Sequence, residues 1–186
     1  MAKTGNKFVG ISALYIVSGG FGSDFATNGK TITEVPVAED GGFTYTGGEP
    51  SIEHYKIHGL TADWTSRTTP GETQVNLFVP SVTKAQLQLF GFTVADKNSG
   101  SIGQATISSG FKFAETSLAV TIGIAAVNDE GNKLFAIKAA KLSATLVFDE
   151  ANSAKPIGIS LTGSTSAGGD PDAMGIFEIS HSVSSN

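Results

Sequence analysis

A regular alternation of apolar with small or polar positions runs through the middle of the chain, from residue 116 to residue 148. Every second position is strongly apolar at Leu118, Val120, Ile122 and Ile124. This period of two predicts a β-strand with one apolar face. Residues 128–132 (Asn-Asp-Glu-Gly-Asn) follow and have the composition of a turn. The chain then returns as a second strand to residue 148, so the pattern predicts a long antiparallel meander.

The returning strand also separates an apolar face from a polar one. Its apolar positions are Leu142, Ala144, Leu146 and Phe148, and its polar positions are Lys141, Ser143 and Thr145. A meander with one apolar face needs a second sheet or a neighbouring molecule to cover that face. The rest of the chain is therefore expected to pack against this meander or to present surface to a partner.

Shorter runs predict further strands on both sides of the meander. These runs are 8–17, 31–37, 51–57, 73–79, 155–162 and 174–179, with a loop expected over 96–103. One helix is predicted over 81–90, because Ser81 can cap its first turn and Gly91 can end it. Pro36 and Pro80 lack a backbone N–H, so each is expected at a strand end or a sheet edge. The sequence thus predicts one all-β domain, 1–186, an antiparallel β-sandwich or barrel with one short flanking α-helix.

The N-terminal run has two interpretations. Lys3 and Lys7 precede an apolar stretch, which loosely matches the layout of a signal peptide. However, Gly10 and Ser12 interrupt that stretch. Alternating apolar residues within it instead fit a strand, namely Val9, Ile11, Ala13, Tyr15 and Val17. The strand is the favoured interpretation.

The least regular part of the sequence is predicted at about residues 39–72, where Gly and Pro recur. A span of this length with little secondary structure is typical of a functional loop or of one that becomes ordered against a partner. It carries Tyr45, Tyr55, Trp64 and Arg67, which are residue types that anchor protein interfaces. The alternative, that these aromatic side chains pack onto their own sheet, is equally compatible with the sequence.

Composition narrows the classes of function. The 186 residues include no cysteine, which excludes disulfides, thiolate metal sites and a cysteine nucleophile. The formal net charge of −5 argues against ordinary nucleic-acid binding, since phosphate contacts need clustered Lys and Arg. Charged residues make up 16%, against roughly 25% in an average domain. A surface with so little charge suggests burial in an assembly.

Three sequence patterns resemble catalytic or metal sites, and simpler interpretations account for each. Ser81 and Lys84 match S-x-x-K, but a capping serine followed by a surface lysine explains the match. His54 and His58 on a strand would lie about 13 Å apart, too far for one metal ion. Asp170 and Asp172 in a glycine-rich loop are typical turn formers. We therefore predict no catalytic, cofactor-binding or metal-binding residues, and no enzymatic activity.

The order of elements in the C-terminal part of the chain resembles the bacteriophage major tail tube proteins. The resemblance rests on the strand, proline and helix at 79–91, on 132–148 (NKLFAIKAAKLSATLVF), on 156–162 and on 175–179. It implies a β-sandwich flanked by a helix, whose sheets join between subunits in a ring, usually a hexamer. The rings would stack into a hollow tube through which DNA passes. The 39–72 loop would then bridge to the next ring, with Tyr45, Tyr55, Trp64 and Arg67 as candidate inter-ring contacts.

The resemblance also implies partners and a location. The chain would bind copies of itself and other tail proteins, namely the tape measure, the tail terminator and the baseplate or tip, and DNA would be a non-sticking cargo in the lumen. It would be assembled in the host cytoplasm into the virion, with no membrane association. Two alternatives remain open at this point. One is a monomeric β-sandwich that binds a ligand or carbohydrate through Trp64 and the tyrosines. The other is a capsid decoration or fibre protein.

Overall fold

The fold is taken from a computed structural model of the chain. It describes residues 10–37, 42–56, 58–59, 65–69, 71–97, 99–114, 119–148, 157–165 and 173–180. Within these ranges the chain is mainly β, with antiparallel strand pairs and one short α-helix. The predicted fold class is confirmed at this level. Trp64, Asp170 and Asp172 lie outside the described residues.

The described residues form fourteen strands and one helix. The strands are β1 Ala13–Ser18, β2 Ile32–Val35, β3 Phe43–Thr46, β4 Ser51–Tyr55, β5 Thr65–Thr69, β6 Gln74–Val79, β7 Thr93–Lys97, β8 Gly100–Ile102, β9 Ala105–Ile107, β10 Gly110–Ala114, β11 Val120–Val127, β12 Lys133–Val147, β13 Gly158–Thr165 and β14 Met174–Glu178. The helix is α1 Lys84–Leu89, and a short turn lies at Ser23–Phe25.

The main sheet is organised around β12, which is fifteen residues long. One side of β12 pairs with β11. The other side pairs first with β14, over Lys133–Ile137, and then with β13, over Ala140–Val147. The sheet order is β2-β1-β11-β12-β13-β6-β3, with β14 beside the first part of β12. The strand β12 therefore belongs to two layers. One layer is β2-β1-β11-β12-β14, and the other is β12-β13-β6-β3.

The two layers face each other across one apolar core. Phe135, at the start of β12, contacts Phe43 and Tyr45 of β3, with ring centroids 6.4 and 5.8 Å apart. The central strand β12 and the end strand β3, which are separated by two strands in the sheet order, therefore meet across the core, as in a sandwich. The fully buried core side chains come from both layers and from α1; they include Leu14, Ile16, Leu77, Leu87, Phe90, Ile122, Ile124, Ile137, Leu142, Ile159 and Leu161.

A bulge in β12 separates its two halves. Ile124 pairs with Ile137, whereas Ile122 pairs with Ala140, so β12 has one extra residue at this point. The segment after β1 crosses the outer face here, and Phe21 N–H donates to the Lys138 carbonyl at 2.9 Å. We call residues 19–26 the strap. A Cβ on Gly123 would lie 2.6 Å from the Phe21 ring, so the close packing of the strap requires glycine at 123.

The strap is completed by a row of aromatic rings. Phe25 lies between Phe21 and Phe177 of β14, at centroid distances of 5.5 and 5.0 Å. Asp24 and Phe25 have φ values of +50° and +55°, which are uncommon for residues with side chains and most unfavourable for a bulky one. The aromatic contacts to both neighbours hold Phe25 in this conformation.

The N-cap of helix α1 lies two residues later than the sequence predicted. Thr83, not Ser81, is its N-cap: Thr83 Oγ1 accepts from Gln86 N–H, and Gln86 Oε1 accepts from Thr83 N–H. The Thr-x-x-Gln spacing permits this reciprocal capping box, which Ser81 cannot make. Ser81 Oγ instead donates to Gln86 Oε1 at 2.9 Å. The helix ends at Leu89 with Phe90 as its C-cap, so Gly91 lies one residue beyond the cap rather than at it. Gly91, at φ +86°, still ends the helix: its N–H donates to the Gln88 carbonyl, and Phe92 N–H donates to the Leu87 carbonyl.

The predicted meander is confirmed, and its turn is held by a buried asparagine. Asn128 is 1% exposed. Its Oδ1 accepts from the N–H groups of Asn132 and Lys133, and its Nδ2 donates to Asn132 Oδ1. The predicted alternation is confirmed over residues 141–146, with Leu142 buried and Lys141, Ser143 and Thr145 exposed. It was wrong at Phe148, which follows the end of β12 and is 67% exposed.

Three expectations about local structure were wrong. The 39–72 region contains β3 and β5 as well as the predicted strand at β4, so it is more regular than its glycines and prolines indicated. The loop predicted over 96–103 is largely the end of β7 and all of β8, which pair with β10 and β9 respectively. Their polar sequences are more typical of a loop than of a strand. In β1, Leu14 and Ile16 face the core, and Ala13 and Tyr15 lie on the opposite face. The strap covers part of the opposite face, so β1 has buried apolar side chains on both faces and its sequence does not alternate clearly.

The capping box leads to a stability prediction. Replacing Thr83 by Ala removes the side-chain acceptor for Gln86 N–H, which should cost about 1 kcal/mol. For a chain of this size that corresponds to a fall in Tm of roughly 2–4 °C. Thermal unfolding followed by circular dichroism measures it, with Thr68→Ala on an exposed strand as the matched control. An unchanged Tm for T83A would contradict the capping role.

Candidate assembly surfaces

The most exposed element is the antiparallel hairpin β4–β5, which we call the arm. All ten of its strand residues are exposed, on both faces. Its two strands form a separate two-stranded sheet in the described part of the chain. A two-stranded hairpin is at best marginally stable in water by itself, and a third strand or an apolar surface is normally needed. Among the described residues, neither strand of the arm pairs with a third strand.

The base of the arm is defined by glycines. A Cβ on Gly48 would collide with the Gly71 backbone, and a Cβ on Gly71 would collide with the backbone of Gly48 and Glu49. The entering and leaving chains thus touch backbone to backbone, and residues with a side chain would force them apart. Since both ends of the arm meet at one point, the arm leaves the sandwich as a discrete projection.

The structure brings two of the predicted contact residues together. Glu53 is paired with Arg67 across the arm, and Tyr55 lies two residues along on the same face, with its hydroxyl donating to Glu53 at 2.8 Å. Tyr55 is 46% exposed. Tyr45 is elsewhere, half-buried on β3 against Phe135. Tyr45 therefore follows the alternative in which an aromatic side chain packs on its own sheet, while Tyr55 and Arg67 present their side chains outward.

Two sheet edges carry exposed apolar side chains. On β14, Met174, Ile176 and Phe177 are exposed, Ile176 by 64%. On β2, Ile32 is 50% exposed. In the strand order, β2 and β14 each pair on one side with a neighbour, β1 and β12 respectively. Edge strands are usually protected by charge, proline or covering segments, and apolar edges favour pairing with another chain.

A second two-stranded ribbon, besides the arm, was not predicted from the sequence. The hairpins β7–β10 and β8–β9 follow one another along residues 93–114, and Ile102 lies beside the final turn with 71% of its side chain exposed. At its other end, Phe92 contacts Phe113 at a centroid distance of 6.2 Å. The spaced aromatics Phe111 and Phe113 and the turn glycine Gly103 are the sequence signals that could have indicated it.

The outer face of the β12–β13–β6–β3 layer is polar. One row crosses all four strands, with Ser143 opposite Thr162, Thr162 opposite Asn76, and Asn76 opposite Thr44. Neighbouring rows add further hydroxyl and amide side chains, at Gln74, Thr145, Ser160 and Ser164, together with Phe78. Lys141 is the charged residue among the strand positions on this face. The face is thus rich in hydrogen-bonding groups and poor in charge.

Ser81 and Lys84, which match the S-x-x-K pattern, make separate structural contacts. Lys84 Nζ pairs with Asp96 Oδ1 at 2.6 Å, linking α1 to β7, while Ser81 bonds to Gln86. His54 lies on the exposed arm. Across the described ranges, no group of three or more His, Asp or Glu side chains could hold a metal ion. Nor does a helix in those ranges have the length and apolar character to cross a membrane.

A scan against models of protein families gives no match, and a search of curated protein sequences gives none either. The function is therefore inferred from the surfaces described above.

The exposure of the arm predicts that the sandwich does not depend on it. Replacing residues 50–70 by a short Gly-Ser linker between Glu49 and Gly71 should leave the fold intact, because no residue of β4 or β5 contributes to the core and the two ends already touch. We expect cooperative thermal unfolding with a Tm close to that of the intact chain, measured by calorimetry. Loss of cooperative unfolding would show that the arm is part of the fold.

Proposed function

We propose that this chain is a structural subunit that assembles with copies of itself into stacked rings, and that these rings form a phage tail tube. The observation that carries the proposal is the arm, a two-stranded hairpin with every strand residue exposed. An isolated hairpin gains stability by docking on a neighbour. The exposed apolar edges and the low charge of the chain support the same conclusion.

Strand directions support a ring. Every pairing from β2 through β1, β11 and β12 to β14 is antiparallel, so β2 and β14 run in the same direction. If β14 of one copy joins β2 of the next, the new pair is parallel. The contact uses different surfaces on the two copies. Such a heterologous contact closes into a ring when the rotation from one copy to the next adds up to a full turn. Phe177 and Ile32, which both lie on the strap side of the sheet, would meet at this junction.

The polar outer face is the surface best suited to line a channel. Its hydroxyl and amide groups remain hydrated, and the strand positions include one charged residue, Lys141. DNA binds proteins mainly through phosphate contacts with clustered cations, which this face lacks. A lumen lined by it would let DNA pass without adhering.

The arm is the proposed contact between rings. Its Tyr55 and Arg67 share a face, and these residue types often supply binding energy at interfaces. The same proposal includes Trp64, from the segment that joins β4 to β5, as an inter-ring contact. A virion location, and contacts of the tube ends with the tape measure, tail terminator and baseplate or tip proteins, belong to this proposal as well.

The competing functions receive less support from the described residues. A glycan-binding module would use Trp64 and the tyrosines as an aromatic platform, but Tyr45 is packed on Phe135 and is not beside Tyr55. A capsid decoration or fibre protein would also use exposed edges, and it is distinguished from a tube by its assembly.

Negative-stain electron microscopy over a concentration series tests the proposal directly. We expect rings or hollow tubes of uniform width from the unmodified chain. Ile176→Lys should abolish them, because a lysine on the apolar edge of β14 opposes pairing with a second sheet. The folded subunit should tolerate this change, since Ile176 is already 64% exposed.

The matched control is Ile102→Lys, which places the same charge on an equally exposed isoleucine at the tip of the other ribbon. This variant should still form rings. Compact single particles of the unmodified chain at every concentration would contradict self-assembly. Equal loss of rings in both variants would contradict the assignment of the β14 edge, and isolated trimers would favour the decoration or fibre alternative.

A further inference from the structure

We propose that Asn28 is a site of spontaneous deamidation, driven by the backbone nitrogen of Gly29. This inference is independent of the proposed function. Asn28 and Gly29 form the single Asn-Gly dipeptide of the sequence. Glycine in the second position leaves the peptide nitrogen unhindered by a side chain, and the turn that contains the pair exposes it to water.

The turn is well defined and open. Lys30 N–H donates to the Thr27 carbonyl at 3.0 Å, so Asn28 and Gly29 are its two central residues. All four residues are exposed, and no atom lies within 4 Å of the position that a Cβ on Gly29 would occupy. Within the described part of the chain, the Asn28 amide makes no hydrogen bond that would hold it away from the Gly29 nitrogen.

The reaction needs water as its only co-reactant. The Gly29 nitrogen, after losing its proton, attacks Cγ of Asn28; an N–Cγ bond forms, the bond from Cγ to the amide nitrogen breaks, and ammonia leaves. The product is a five-membered succinimide. Water then adds to one of its two carbonyls. Addition at the Cγ carbonyl gives aspartate at position 28. Addition at the main-chain carbonyl gives isoaspartate, in which the main chain runs through Cβ and Cγ.

Asn128 provides an internal contrast. It also lies in a turn, but it is 1% exposed and its side-chain oxygen and nitrogen are engaged by Asn132 and Lys133. Its Cγ cannot approach the Asp129 nitrogen unless these bonds open first. Deamidation at Asn128 therefore requires local unfolding, whereas deamidation at Asn28 does not.

The modification changes the start of an edge strand. It places one further negative charge at residue 28, two residues from Lys30 and four residues before β2 begins. Isoaspartate also lengthens the main chain by one carbon ahead of Thr31, whose carbonyl accepts from Ser18 N–H at 3.0 Å. Aged protein should consequently contain subunits that differ at the β2 edge.

The test is peptide mapping by mass spectrometry after incubation of the native protein at pH 5 and pH 8. The tryptic peptide that ends at Lys30 should acquire the mass of an amide-to-acid conversion and separate into two isomers, faster at pH 8 because attack requires the deprotonated nitrogen. Modification at Asn28 should exceed that at Asn128 by at least about tenfold, since the Asn128 turn must open first and the Asp129 side chain hinders the attacking nitrogen. In Asn28→Gln the product should be lost from this peptide.

Unfolding in urea supplies the decisive comparison. We expect the rate at Asn28 to change little on unfolding, and the rate at Asn128 to rise. A native chain that stays unmodified at Asn28 while the unfolded chain is modified there would show that the turn protects Asn28, and would overturn the inference. Equal rates at Asn28 and Asn128 in the native protein would overturn it too.

Discussion

The pairing of β12 on both of its sides is the constraint on which the rest of this structure depends. One continuous strand pairs with β11 along one side and with β14 and then β13 along the other. Its core residues Ile137 and Leu142 are fully buried, and each such side chain stabilises the fold by about 1.5–3 kcal/mol. The bulge between them lets a single strand serve two layers. The sandwich is therefore a sheet folded at β12 rather than two independent sheets.

This arrangement leaves three kinds of surface with different chemistry. The strap and its aromatic rings cover the outer face where β11 meets the first half of β12, over Gly123. The second half of β12 contributes to an outer face of hydroxyl and amide groups. At the two edges of the β2-β1-β11-β12-β14 layer, β2 and β14 expose apolar side chains. The arm leaves the sheet between β3 and β6 and is exposed on both faces, so it is a surface separate from these three.

The sequence predicted the elements whose pattern is set locally. The alternation through Ile122, Ile124 and Leu142 and the Asn-rich turn at Asn128 were sufficient for the meander, since side-chain periodicity and turn chemistry both act over a few residues. The register of β1 was not predictable, because Val17 is buried under the strap on the face opposite Leu14 and the period of two disappears. The pairing of β7 with β10 was not predicted for a related reason. It depends on contacts between strands, and the polar sequence of β7 does not show the alternation by which a strand is recognised.

The predicted contact residues differ in where the structure places them. The residue types of Tyr55 and Arg67 indicated an interface, and they share one face of the arm; Tyr45 has the same chemistry, but a tertiary contact with Phe135 turns it inward. The apolar edge of β14 could not be located from sequence, because exposure of Ile176 depends on which strands lie beside it.

Amide hydrogen exchange of the arm, compared between dilute and concentrated protein, tests the central claim most directly. If the arm docks on a neighbouring copy, the backbone amides of β4 and β5 exchange rapidly in the dilute monomer and become protected in the concentrated sample, while the core strands stay protected in both. Rapid exchange of the arm at both concentrations, in a sample that has formed assemblies, would contradict the account of the arm as an assembly contact.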